Sequence, residues 1–271
     1  MFVALKGGDQ EEIYKKIRVA RLHGLSKDAW SRFSDKGYKE YGHWFVESAK
    51  KYIDSDVQLF FYTDNTHLDL PSNMTNQKLE ESIPDLTAFK QRNSHRKPGN
   101  FLFDGVRFSH KSYCLYHAAK TKDVDFLCWL DTDTEIITKI TSKYLKSFLP
   151  EGKFVAYLGR PGTYTETGFL VFNMRHKYAQ EYFDRFKKYY DTDKLYELSG
   201  QLDCHVFDAV RLEMEEEGKI QNQNISPPGV TKTHFDQALN GYIAHYKGAK
   251  KSVRDKHYGK ALKRKEKLKI A

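Results

Sequence analysis

Asp125-Phe126-Leu127-Cys128-Trp129-Leu130-Asp131-Thr132-Asp133-Thr134-Glu135-Ile136-Ile137 is the stretch from which the fold is read. Residues 126–130 are apolar without alternation and are bounded by charge, the pattern of a strand buried on both faces. Asp131 and Asp133 stand where that strand ends. Residues two apart on extended chain share a face, so both carboxylates can converge beyond the carboxyl edge of a sheet, where open α/β sheets bind ligands. Two hard oxygen donors that close repel each other unless a divalent cation or a proton lies between them. The competing reading is local: Asp133 or Thr134 could cap a following helix.

A hydrophobic strand ending in Asp-x-Asp resembles the signature of GT-A-fold glycosyltransferases, which hold a nucleotide-sugar diphosphate through a divalent metal. The resemblance implies an α/β fold: a single GT-A (Rossmann-like) domain with a mixed, mostly parallel central sheet flanked by helices. It implies residues 1–251 as that domain, with 1–33 an unassigned N-terminal segment and 252–271 a basic tail.

Composition sets the outer bounds. At 271 residues the chain can bury a real core in one domain. No stretch approaches the roughly 18 apolar residues that span a bilayer, and no signal-peptide pattern opens the chain, so a soluble cytoplasmic protein is expected. Cys114, Cys128 and Cys204 are few, odd in number and far apart, and read as reduced packing residues. Lys and Arg number 45 against 36 Asp and Glu, a net charge of +9 that favours an anionic partner.

From the N-terminal side, residues 1–5 read as a short strand and 11–22 carry helical spacing. A glycine- and tyrosine-containing segment, 34–42, leads into a helix over 44–52 and then a strand over 57–62. That order is similar to the opening of a group of bacterial and phage GT-A proteins. In that group an apolar strand precedes the glycine-tyrosine segment; here residues 25–33 are polar, so either they form an edge strand or 2–5 supply it. Residues 65–100 are rich in Pro and Asn and read as a long loop with a helix near 76–82. A helix follows over 108–121. In the resembled group an Arg and a Lys before the Asp-x-Asp strand face the nucleotide, which places Arg107 and Lys111 there; cations beside a metal-bound diphosphate offset charge the metal leaves. Both could equally lie on a solvated helix face.

Beyond the acidic pair, a helix over 142–149, a strand over 154–158 and a strand over 169–172 are expected. Thr167 and Gly168 precede the last of these, and a glycine there marks close ligand approach or a bulge. The stretch Tyr164-Thr-Glu-Thr-Gly-Phe-Leu-Val-Phe-Asn173 resembles the donor-sugar strand of glycogenin-like transferases, which places Glu166, Thr167 and Gly168 along the sugar site. Helices are expected over 177–190, with Tyr178, Tyr182, Phe186 and Tyr189 as its core stripe, and over 201–216. Asp203 at the start of the latter caps the helix or, as the resemblance implies, faces the donor sugar; His205 reads as structural. A last helix is expected over 236–244. His245-Tyr-Lys-Gly-Ala-Lys250 resembles the His-x-x-Gly-x-Lys segment that closes metal-dependent GT-A sites, though no Pro-Trp follows its lysines. It implies His245 as third metal ligand beside Asp131 and Asp133, with Gly248 and Lys250 at the diphosphate.

The function implied is hexosyl transfer from a UDP- or GDP-type nucleotide sugar to a glycan or other hydroxyl acceptor, with Mn2+ or Mg2+. Asp203 or Glu166 would serve as the catalytic carboxylate, and Asp131 would bind metal or ribose. One alternative is a metal-dependent nucleotidyltransferase, for which Gly7-Gly8 is too little phosphate loop. Another is a polyanion- or nucleic-acid-binding protein acting through its basic tail, for which RNP aromatics, zinc spacing and a basic zipper are all absent. The tail itself reads as a solvated helix or disordered end, with lipid headgroups as its other partner.

Overall fold

The computed structural model describes residues 2–5, 38, 42–63, 68–121, 123–229, 235–239 and 241–246. The helix expected over 11–22, most of segment 34–42, Gly248, Lys250 and the basic tail lie outside them. The described residues build a mixed α/β unit around a seven-stranded sheet. Its strands are β1 (Phe2–Leu5), β2 (Gln58–Thr63), β3 (Met74–Lys78), β4 (Phe126–Leu130), β6 (Val155–Leu158), β7 (Glu166–Asn173) and β8 (Gln223–Asn224), in the order β3-β2-β1-β4-β7-β6-β8. The pairings of β2 with β3 and of β6 with β8 are parallel and the other four antiparallel. Most strands therefore point one way, and the two reversed ones, β1 and β7, lie inside the sheet. A two-stranded antiparallel ribbon of β5 (Thr134–Ile136) and β9 (Ile243–His245) stands beside it.

Alternation along β4 distributes its apolar run between two cores. Leu127 and Trp129 join one cluster, with Leu170 and Phe172 of β7. Cys128 and Leu130 join the other, with Phe169 and Val171. The first is closed by α4 (Gly105–Thr121), α6 (Ala179–Asp191) and α7 (Asp203–Glu216), the second by α1 (His43–Tyr52) and the short α5 (Ser142–Lys146). A strand covered on both faces has no polar side to show, which is why β4 reads as a continuous apolar run. The stripe of α6 buries Tyr182, Phe183, Phe186 and Tyr190, while Tyr178 and Tyr189 pack at its margin. Tyr190, four residues past Phe186, takes the buried place expected for Tyr189, and its hydroxyl receives a 2.6 Å hydrogen bond from Ser112 of α4. All three cysteines are buried free thiols. Among the described residues no helix is long and apolar enough to cross a membrane.

Two expectations change. The helix expected near 76–82 is instead strand β3 followed by α2 (Leu79–Ser82) and α3 (Pro84–Arg92). Asn73 donates to the carbonyls of Asp54 and Val57, and Thr63 donates to Asn76, aligning this polar segment along β2. An edge strand tolerates such polarity because only one side is paired. The last helix is also shorter: α8 covers Phe235–Ala238 only, Gly241 takes φ +74°, and residues 243–245 form β9.

A buried hydrogen bond ties the ribbon to α1, from the Ile136 N–H to Ser48 Oγ at 3.1 Å. Ser48→Ala leaves that N–H without its acceptor and should cost about 1–3 kcal/mol. Urea denaturation should show a lower midpoint at unchanged slope.

Candidate active site

Strand directions assemble the cleft. β4 and β6 both run antiparallel to β7, so their carboxyl ends share a sheet edge with the amino end of β7. Asp131 follows β4 directly, and its N–H continues the ladder with a 2.8 Å bond to the Gly168 carbonyl. Residues 166–168 thus face the Asp-x-Asp segment across one hydrogen bond.

Lys111 projects from α4 into the gap. Its ammonium lies 3.2 Å from Asp131 Oδ1, 2.9 Å from Asp203 Oδ2, 2.7 Å from the Thr167 carbonyl and 3.1 Å from Thr167 Oγ1. Thr167 Oγ1 in turn donates to Asp203 Oδ2 at 2.6 Å. Trp129, two residues before Asp131 and on its face, donates from Nε1 to Asp131 Oδ1 at 2.6 Å, and the ammonium sits 4.9 Å from its ring centroid. Burial alone would favour neutral Lys111, but Asp131 and Asp203 outweigh it and hold the group charged, above its usual range. Lys111 is therefore no solvated helix residue. Nor does Asp203 cap its helix: it is the first residue of α7, it makes no side-chain cap bond, and it faces Lys111 and Thr167.

The ribbon supplies a second group. Thr134 pairs with His245, and the Tyr246 N–H donates to the Asp133 carbonyl at 2.8 Å. His245 Nε2 lies 3.3 Å from Asp133 Oδ1. Burial would lower the imidazole pKa; Asp133, with Glu166 and Asp131 behind it, raises it instead. Thr134 Oγ1 donates back to the Asp131 carbonyl at 2.6 Å, tightening the turn between the two carboxylates. Since residues 134–136 are a strand, Asp133 and Thr134 cap no helix there. Tyr246 Oη donates to Glu135 Oε2 at 2.8 Å, so the ribbon is locked by side chains as well as backbone.

These groups line a cleft of about 500 Å³ together with Arg107, Arg160, Glu166 and Thr167. Arg160 lies 3.3 Å from Glu166 and 4.7 Å from the centroid of the Tyr164 ring, and donates to the carbonyls of Tyr164 and Thr165. Thr165 is held through its N–H and hydroxyl by Asp208 of α7, at 2.8 and 2.6 Å. At the outer rim, Phe101 and Phe108 meet edge to face at 5.2 Å with Arg107 near both rings. Sequence reasoning did not single out Arg160, Phe101 or Phe108. Arg160 had a signal: it sits in a glycine-proline turn just past β6, on the edge where Asp131 ends β4. Phe101 and Phe108 carried none beyond being aromatic.

Among the described residues no three acidic, histidine or cysteine side chains converge as a metal cage. Asp133 and His245 adjoin, whereas Asp131 Oδ1 is engaged by Lys111 and Trp129. One carboxylate and one imidazole fit a divalent ion that draws its other ligands from phosphate oxygens and water.

No family model matches the chain. An uncharacterized protein of Methanocaldococcus jannaschii is 46% identical over 50 residues, 18% of this chain, and the match spans only 12% of that protein's length. Three solved glycosyltransferases are similar in fold. Mouse xyloside xylosyltransferase 1 in its apo form has a TM-score of 0.46 at 10% identity, covering 76% of this chain and 83% of that one. The bifunctional glycosyltransferase WbbM has 0.44 at 13%, covering 70% and 38%. A glycosyltransferase involved in glycosylation of the PBCV-1 major capsid has 0.40 at 14%, covering 66% and 93%.

Lys111 separates the buried carboxylate of Asp203 from the half-buried one of Asp131, so its removal should be felt beyond the lost bonds. Lys111→Met should destabilise the fold by about 3 kcal/mol, the order expected when one partner of a buried ion pair is deleted. Adding Asp203→Asn should restore part of that loss. A urea double-mutant cycle reads the non-additivity.

Proposed function

We propose that the chain is a glycosyltransferase that moves a sugar from a nucleoside-diphosphate sugar, of the UDP- or GDP-hexose class, to an acceptor hydroxyl. The observation that carries the reading is the Lys111 network: a buried ammonium held between Asp131, Asp203 and Thr167, in a cleft where Asp133 and His245 adjoin. Such a cleft needs both signs of charge. Cations offset the leaving diphosphate, and carboxylates face the sugar as positive charge builds at its anomeric carbon.

In this reading Asp133 and His245 hold Mn2+ or Mg2+. The ion, when bound, supplies Lewis-acid stabilisation of the negative charge on the departing nucleoside diphosphate. Lys111 and Arg107 add positive charge on the α4 side, and Gly248 and Lys250 are assigned to the diphosphate by the His-x-x-Gly-x-Lys resemblance. Asp131 orients Lys111 and offers its remaining acceptor capacity to metal or ribose. Asp203 and Glu166 are the carboxylates assigned to the sugar. Arg160, 3.3 Å from Glu166, offsets that carboxylate's charge at the cleft wall.

Thermal unfolding with UDP, GDP, CDP and dTDP, each with Mn2+ or with EDTA, tests this. One nucleotide with Mn2+ should raise the midpoint, stabilising by about 2.7 kcal/mol at a hundredfold excess over its dissociation constant. EDTA and Asp133→Ala should each abolish the shift. A folded protein that responds to none of the four nucleotides would overturn the reading.

A further inference from the structure

Phe101, Phe108 and Tyr164 line the cleft as uncharged rings. The Tyr164 ring is engaged by Arg160 at 4.7 Å and by the His205 ring at 4.9 Å. Phe108 is partly buried and meets Phe101 edge to face, with 86° between the two planes. That contact uses at most one face of Phe101, and Arg107 stands 5.9 Å from its centroid, at the limit of a cation–π contact. Phe101 itself is 50% exposed. Among the described residues it is the large apolar side chain that is both exposed and part of the cleft wall.

Backbone bonds set the position of this ring. The 3-10 turn Phe101–Phe103 is capped by Asn100, whose side chain accepts from the Leu102 N–H at 2.8 Å. The Leu102 carbonyl accepts from the Gln201 N–H at 2.7 Å, two residues before Asp203. Gln201 Oε1 in turn accepts at 3.2 Å from the N–H of Gly105, the first residue of α4. The turn is thereby tied to the two helices that carry the charged groups of the cleft, α4 with Lys111 and α7 with Asp203. On α4, Phe108 precedes Lys111 by three residues and shares its face. One wall therefore runs from Asp131 and Asp203 through Lys111 to Phe108 and ends at Phe101 on the rim.

With diphosphate and donor sugar at the inner part of that wall, the rim is left to the second substrate. A pyranose suits it: the C–H bonds on one side of the ring form an apolar face that meets the negative face of an aromatic ring, while the hydroxyls project from the edge towards polar groups. A single open ring among Arg107, Arg160, Glu166 and Asp203 is too little apolar surface for an alkyl chain. We propose that Phe101 is the platform on which the acceptor stacks, and that the acceptor is a pyranoside whose reacting hydroxyl points inward, past Phe108, to the donor sugar. The proposal deepens the transferase reading and rests on it, because the inner wall must hold the donor for the rim to hold the acceptor.

Saturation-transfer NMR on the full chain, alone and with Mn2+ and each of the four nucleotides, tests it with methyl β-glucopyranoside, methyl β-galactopyranoside and the acyclic polyol sorbitol as probes. At least one pyranoside should bind, with saturation strongest at the hydrogens of one ring face, and sorbitol should bind far less. Phe101→Ala and Phe101→Leu should each weaken that pyranoside about ten-fold, the order expected when a ring that covers an apolar face is removed, and Phe101→Trp should preserve it. Leucine keeps an apolar side chain, so a loss in both variants assigns the effect to the ring. Because Phe101 is half exposed, both variants should keep a thermal midpoint near that of the parent, together with the nucleotide-dependent shift. The platform is overturned if neither pyranoside binds better than sorbitol, if saturation spreads evenly over the sugar, or if Phe101→Leu binds as well as the parent. It is also overturned if Phe101→Ala removes the nucleotide shift, since the ring would then stack on the base. A nucleotide response without pyranoside binding removes the platform alone. Pyranoside binding in a protein that ignores all four nucleotides removes the transferase reading, and the acceptor role with it.

Discussion

The reversed strand β7, bonded to β4 on one side and β6 on the other, is the constraint on which the cleft depends. A strand running with its neighbours would carry residues 166–168 to the far edge of the sheet, away from Asp131. Reversed, it begins where β4 ends, and one backbone hydrogen bond from Asp131 to Gly168 sets the two segments face to face. Both strands are covered by apolar residues on either side, so their register cannot slip without moving a core face into the wrong cluster. Carboxylates placed this way inherit the rigidity of the sheet.

That rigidity makes the charge arrangement tolerable. Carboxylates crowd one end of the cleft, and the fold answers with Lys111 beside Asp131 and Asp203 and with Arg160 beside Glu166. Buried ion pairs rarely add much stability, because desolvation opposes the Coulombic gain. Their role here is orientation: Lys111 spends its hydrogen bonds on three residues from three elements and leaves each carboxylate with a defined direction. Asp133 and His245 sit apart from this network on the ribbon, which divides the acidic groups between a lysine-bound set and an imidazole-bound pair.

How much of this was legible depends on the distance over which each feature is encoded. β4 could be read to the residue because a short apolar run closed by charge is a local signal. A mixed sheet is what the resemblance to GT-A motifs implies, and the sheet is mixed; that Lys111, Asp131, Thr167 and Asp203 converge and that His245 approaches Asp133 is decided by packing between distant segments. What local reading could not supply was partnership. Residues 243–245 have helical company on their N-terminal side and became a strand only because 134–136 pair with them. Residues 74–78 look like polar loop until β2 is placed alongside. Asp203 has the composition of a helix cap, and only the lysine across the cleft decides its orientation.

The β5–β9 ribbon has a consequence for the life of the chain. Its contacts close a very long loop: Glu135 and Tyr246 are bonded across 111 residues of sequence. Every strand of the main sheet lies before residue 225, so the sheet can form while the residues that complete the Asp133 and His245 pair are still to be made. Synthesis of this protein thus passes through a stage in which every strand of the main sheet has been made while the second strand of the ribbon, and with it the partner of Asp133, has not.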